Sequence, residues 1–302
     1  PLSGYVGLLM RATLLSGMLA AAVLLAGADW ETRGREAFTR GSFDASHVYV
    51  SAGGVLQSIN RFDVNNDGYF DLIFNNTHDL NYAAPASRYH FSGRQAVRTE
   101  YPGAGSMRVR TADLNGDGYD ELVIARGFDN SSRLLNSWIY QGGPEGWVEK
   151  RHAELPTHYV QDFCIADFNR DGHPDLAFIA SWTTGVNTSY LYQGTADGFT
   201  VAKRTPFETP GALGCLAADL DGDGTPDLVV TGAETRIYWS GAFDRFTLLE
   251  DKQTRGVVLT EGRLALAGTD GVTLYSFKGR QARHERTLAY PGAGALASGS
   301  GV

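Results

Sequence analysis

Residues 167–180 read Asp167-Phe168-Asn169-Arg170-Asp171-Gly172-His173-Pro174-Asp175-Leu176-Ala177-Phe178-Ile179-Ala180. Short oxygen-bearing side chains stand at positions 1, 3 and 5, glycine at 6 and a carboxylate at 9, and an apolar run follows at once. Side chains so spaced converge on one point only if the backbone curls tightly. Glycine permits the curl because it enters positive φ without a Cβ clash. The apolar run reads as a short strand.

The same pattern occurs four times. The other copies are Asp63-Val64-Asn65-Asn66-Asp67-Gly68-Tyr69-Phe70-Asp71, Asp113-Leu114-Asn115-Gly116-Asp117-Gly118-Tyr119-Asp120-Glu121 and Asp219-Leu220-Asp221-Gly222-Asp223-Gly224-Thr225-Pro226-Asp227. Successive copies start 50, 54 and 52 residues apart. Each leads into an apolar strand, and later into an aromatic strand that ends near a glycine: Tyr89 to Gly93, Trp138 to Gly142, Tyr190 to Gly194 and Ile237 to Gly241. A hairpin and a polar-apolar stretch follow, so each repeat predicts four short strands. After the N-terminal region no segment has a helical apolar period. A fifth repeat, from Gly256, has its Asp loop reduced to Glu261-Gly262-Arg263, which cannot encircle a metal. Tyr290-Pro291-Gly292-Ala293-Gly294 duplicates Tyr101-Pro102-Gly103-Ala104-Gly105 and begins a sixth. Four-stranded units of this length arranged radially form a β-propeller, so the expected fold is all-β: a propeller of five blades and the start of a sixth, incomplete at its C-terminal end.

The loop chemistry points to calcium. Side chains at positions 1, 3, 5 and 9 with the carbonyl at position 7 form an all-oxygen shell, which suits Ca²⁺ better than Zn²⁺ or the strict octahedron of Mg²⁺. The predicted ligands are Asp63, Asn65, Asp67, Tyr69 and Asp71; Asp113, Asn115, Asp117, Tyr119 and Glu121; Asp167, Asn169, Asp171, His173 and Asp175; and Asp219, Asp221, Asp223, Thr225 and Asp227. Tyr69, Tyr119, His173 and Thr225 would contribute backbone oxygen only. An EF-hand would need Glu at position 12, where Phe74, Ile124, Phe178 and Val230 stand instead. Plain Asx-Gly turns are the bland alternative. Four equivalent copies argue for about four structural calcium ions rather than one catalytic centre.

These loops and their flanking strands resemble FG-GAP/VCBS-type repeats, as found in integrin α-subunit propellers and many secreted bacterial proteins. The resemblance covers about residues 45–302. It implies a calcium-holding loop between the first two strands of each blade. It implies little about activity, since unrelated functions share the fold.

On the opposite face the loops Asn75 to Ser87, Gly127 to Asn136 and Ser181 to Ser189 are long, whereas Gly232 to Thr235 is short. They carry His78, Asp79, Tyr82, Asp129, Arg133, Trp182 and Asn187, a set suited to carbohydrate or protein, against the alternative of ordinary solvated loop. The strand aromatics are expected to pack between blades.

Charge and termini bound the partners. A net charge of −8 argues against nucleic acid. Met10-Arg11, the apolar run Leu14 to Leu25 and Ala26-Gly27-Ala28 form a secretory signal pattern, with Met10 as start and cleavage after Ala28. Residues 1–28 are thus the signal region and 29–302 the propeller, with no membrane span after cleavage. The expected setting is extracellular or periplasmic, as a monomeric module of a larger chain. Cys164 and Cys215 precede equivalent loops by three and four residues. That offset places them on opposite strand faces, so buried thiols are expected rather than a disulfide. No nucleophile or phosphate-loop motif is present. The expected function is a non-catalytic binding, adhesion or scaffolding module, the alternative a polysaccharide-degrading, lyase-like propeller.

Overall fold

The computed structural model describes residues 47–50, 56–62, 71–76, 85–92, 95–102, 104–148, 151–181, 188–249 and 253–290. Two compact units are distinguished, residues 1–43 with 91–96 and residues 44–90 with 97–302, and the sites below belong to the second. Residues 1–28, the expected signal region, lie outside the described residues, as do residues 63–70 of the first Asp loop.

Every sheet is an antiparallel meander in chain order. The first holds β1 (His47–Val50), β2 (Leu56–Phe62), β3 (Asp71–Asn76), β4 (Ala86–Ser92) and β5 (Gln95–Tyr101). The second holds β6 (Ser106–Ala112), β7 (Glu121–Arg126), β8 (Asn136–Tyr140) and β9 (His152–Pro156). The third is β10 (Val160–Ala166), β11 (Asp175–Ala180), β12 (Thr188–Tyr192) and β13 (Arg204–Glu208). The fourth is β14 (Ala212–Ala218), β15 (Asp227–Gly232), β16 (Thr235–Tyr238) and β17 (Thr247–Leu249). The fifth is β18 (Gly256–Thr260), β19 (Arg263–Gly268), β20 (Gly271–Lys278) and β21 (Gln281–Ala289). The fold is a β-propeller. The first sheet carries one strand, β1, beyond the four expected.

The apolar runs after the loops are second strands buried on both faces. Leu122 and Ile124 pack with Ile73 of the sheet before, while Val123 and Ala125 pack with Phe163 and Phe178 of the sheet after. Ala177 and Ile179 likewise meet Leu228 and Val230, and Val229 meets Leu264 and Leu266. A strand wedged between two neighbours has no solvent face, so its sequence is continuously apolar rather than alternating.

A tyrosine lies opposite the first leucine of this strand in every sheet: Leu72 with Tyr89, Leu122 with Tyr140, Leu176 with Tyr192, Leu228 with Tyr238 and Leu264 with Tyr275. The glycine ending the aromatic strand is therefore not the register mark; it follows that tyrosine by four residues in the first repeat, two in the second and third, and three in the fourth. Three of these hydroxyls clasp the preceding blade, Tyr140 donating to the carbonyl of Pro102 (3.3 Å), Tyr192 to Pro156 (2.6 Å) and Tyr238 to Glu208 (2.9 Å). The aromatics pack between blades, as expected.

The expectation of free thiols is overturned. Cys164 and Cys215 form a disulfide, with Cα atoms 6.3 Å apart. The two cysteines do sit on opposite strand faces, but neighbouring blades meet by opposite faces. Cys164 faces forward from β10 and Cys215 backward from β14, within the one core of Ala177, Ile179, Leu228 and Val230. The one-residue offset is thus what brings them together.

Candidate metal centre

The three described Asp loops share one hydrogen-bond plan. The carboxylate at position 1 accepts from the amide of the position 6 glycine: Gly118 to Asp113 (2.9 Å), Gly172 to Asp167 (2.8 Å) and Gly224 to Asp219 (2.9 Å). The oxygen at position 3 accepts from the position 5 amide, at 2.8, 2.9 and 3.1 Å for Asn115, Asn169 and Asp221. The carboxylate at position 5 accepts from the position 7 amide, at 2.9, 2.9 and 2.7 Å for Asp117, Asp171 and Asp223. Gly118, Gly172 and Gly224 take φ values of +87°, +86° and +83°, the curl read from the sequence.

Position 9 closes each loop from inside the blade. Glu121, Asp175 and Asp227 begin the second strands and are 1%, 0% and 0% exposed. One oxygen accepts from the position 2 amide, of Leu114 (2.8 Å), Phe168 (3.0 Å) and Leu220 (2.9 Å). The other accepts from an amide just past the aromatic strand, of Gly142 (3.2 Å), Gly194 (2.8 Å) and Ser240 (2.8 Å). Sequence spacing gave no hint of those last three donors, because they reach the loop only through strand pairing.

Burial pushes all three carboxyls up, Asp175 to about 6, and the neighbouring aspartates push the same way. Asp120 is also pushed up, chiefly by burial, and its carbonyl accepts from the Trp147 indole. Buried carboxylates facing further carboxylates are a charge arrangement that an oxygen-seeking divalent cation resolves. In the fourth loop Asp219, Asp221 and Asp227 each offer an oxygen within 4.8 Å of the others. The donor set, all oxygen with two or more carboxylates per loop, fits Ca²⁺.

The first repeat differs at Asp71. Nε and Nη2 of Arg88 donate to its Oδ1 at 3.0 and 2.9 Å, and His90 Nδ1 lies 2.9 Å away. Arg88 takes the register position that Ile139, Leu191 and Ile237 take in the next three blades. Asp63, Asn65, Asp67 and Tyr69 lie outside the described residues.

The sequence profile of the FG-GAP-like repeat matches residues 63–124, 113–178 and 167–230, together more than half of the chain. The chain belongs to the FG-GAP-like repeat family. In this FG-GAP-like chain each matched unit runs from one Asp loop through the strand after the next, so consecutive matches overlap on the loops. Among curated proteins it is similar to the phosphatidylinositol-glycan-specific phospholipases D of Rattus norvegicus (31% identical over 150 residues) and Mus musculus (30% over 150). Each match covers 41% of this chain and 18% of the relative, so the chain spans under a fifth of those proteins. Among solved structures it resembles the BBS1N chain of a complex with ARL6DN (TM-score 0.54, 12% identity, 77% of this chain and 68% of that one). It also resembles the Dos1 propeller (TM-score 0.51, 8% identity, 80% and 74%). At such identities the likeness concerns the fold alone.

Of the opposite-face candidates, Asp129 and Arg133 are described; Asp129 braces its own loop, while Arg133 also lies over the Tyr159 ring (5.8 Å), whose amide donates to the Arg133 carbonyl (2.8 Å). Asp129 accepts from the Ser131 hydroxyl and from the amides of Ser131 and Ser132, and Arg133 stacks on Phe128 at 4.7 Å. His78, Asp79, Tyr82, Trp182 and Asn187 lie outside the described residues.

Proposed function

We propose that this FG-GAP-like propeller is a secreted, calcium-stabilised module with a binding or scaffolding role and no catalysis of its own. The observation that carries the calcium reading is the fully buried position 9 carboxylate, repeated in three consecutive loops among further aspartates. Asp113, Asn115, Asp117 and Glu121, with their counterparts in the third and fourth loops, would hold the ion with the position 7 carbonyl. The ion would supply positive charge that ties each loop to the strand behind it. Each site then contributes about 2.7 kcal/mol when calcium exceeds its dissociation constant 100-fold. Affinities of 10⁻⁴ to 10⁻³ M, on the order usual for extracellular modules, suffice only outside the cell. An exported setting agrees with the signal pattern and with the Cys164–Cys215 disulfide. Among the described residues no helix is long and apolar enough to cross a membrane. An extracellular carbohydrate or protein is the partner class that the long opposite-face loops suit.

The deciding experiment is calcium content per chain with thermal melts in excess Ca²⁺ and in EDTA. We expect three to four ions, and a melting temperature that falls in chelator. Absence of bound calcium with coincident melts would reduce the loops to turns. Incubation with a polysaccharide panel tests the rest: retention without turnover supports a binding module, and turnover replaces it with an enzyme.

A further inference from the structure

We propose that Arg280 sets the charge of the fourth cation site, supplying from the neighbouring blade the neutralisation that an asparagine supplies within the other loops. The inference rests on the calcium reading above and deepens it. Position 3 is Asn65, Asn115 and Asn169 in the first three loops but Asp221 in the fourth. The fourth loop therefore gathers four carboxylates at its ligand positions, Asp219, Asp221, Asp223 and Asp227, where the second and third gather three. A fourth carboxylate in so small a space adds repulsion that the other loops avoid.

A cation stands against that extra group. Nε of Arg280 donates to Asp221 Oδ2 at 2.9 Å, and Nη2 donates to the Ser240 hydroxyl at 2.9 Å and lies 3.5 Å from Asp223 Oδ2. The Asp221 side chain is only 6% exposed, so the contact is shielded on one side. Arg280 lies in the tight turn between β20 and β21 beside Gly279 (φ +53°), and its guanidinium sits 5.9 Å from the Trp239 ring. The fifth blade has only Glu261-Gly262 in place of an Asp loop, yet its hairpin reaches the loop of the blade before it. Counted over these side chains, Arg280 against four carboxylates leaves the same balance as three carboxylates and an amide; Arg170, which meets the loop at the Asp223 backbone carbonyl (3.2 Å), is common to every variant below.

Arg280 and calcium are then attracted by the same carboxylates. Removing the arginine strengthens the field that draws calcium and leaves the calcium-free loop with uncompensated repulsion. An ion pair this exposed changes affinity by about two- to fivefold.

The test uses the full chain and Ca²⁺ alone, followed by the amide resonance of Gly224 for the fourth loop, with Gly118 and Gly172 as references in the second and third. Arg280→Gln should tighten the Gly224 isotherm by about two- to fivefold, leave the two references unchanged, and lower the melting temperature in EDTA. Arg280→Lys, which keeps the charge, should stay near the parent protein. Asp221→Asn should abolish the effect of Arg280→Gln, and the double variant, whose fourth loop matches the third in charge, should fold and bind whether or not the single variant does. An unchanged or weaker Gly224 isotherm in Arg280→Gln, or an equal effect in the Asp221→Asn background, overturns the role of Arg280 while the calcium reading survives. If no loop amide responds to Ca²⁺ in any variant, both fall.

Discussion

Asp175 lies fully buried, takes hydrogen bonds from Phe168 and Gly194, and has its carboxyl pushed up to about 6 by burial and by Asp171 and Asp167. It therefore has two separable tasks, accepting from two backbone donors and contributing charge to the loop. Asp175→Ala removes both and strands two buried amides, at about 1–3 kcal/mol each. We expect a lowered urea midpoint in chelator as well as in calcium, and one fewer ion per chain. Asp175→Asn keeps an acceptor oxygen, so its loss should be larger in calcium than in chelator; equal losses would show that the charge is idle. The oxygen-bearing residue types at positions 1, 3, 5 and 9 and the curl at position 6 were legible in the sequence because the loop is local. Arg170 was not: at position 4 it takes φ +59°, where Gly116 and Gly222 take +78°, and it donates to the carbonyl of Asp223 in the next loop. A residue's partner across a blade boundary has no fixed sequence distance.

At the scale of the element, the strands were legible and their facing was only half so. The continuous apolar runs announced buried second strands, and Glu261-Gly262, both at positive φ, makes the two-residue hairpin expected of a loop too short for metal. The disulfide turned on which faces of neighbouring blades meet. It joins β10 to β14 across 51 residues, a separation for which closure of the unfolded chain predicts about 4 kcal/mol of stabilisation. The Cys164→Ala/Cys215→Ala variant should lose that amount in guanidinium unfolding, and reductant should affect the parent protein but not the variant. A parent protein indifferent to reductant would mean that the bridge adds nothing to stability.

Across the whole molecule, each described core lies between two successive sheets, and Leu264, fully buried, anchors the one between the fourth and fifth. Contacts confined to neighbours make loss local. Leu264→Ala should cost about 2–5 kcal/mol. Amide exchange should rise first over residues 256–289, while residues 106–156 stay protected; uniform loss would mean that the blades unfold as one unit. The repeat period, the propeller class, the FG-GAP-like loops and their oxygen-rich chemistry were determined by the sequence alone, because each rests on residues within a single turn or strand. The pairing of Cys164 with Cys215, the tyrosine clasps, the closing amides of Gly142, Gly194 and Ser240, and the reach of Arg280 to Asp221 were decided only by tertiary structure. They join residues on different strands or blades, and their meeting depends on which faces pack together and in what register; even the one-residue offset of the cysteines gains its meaning only once those faces are known.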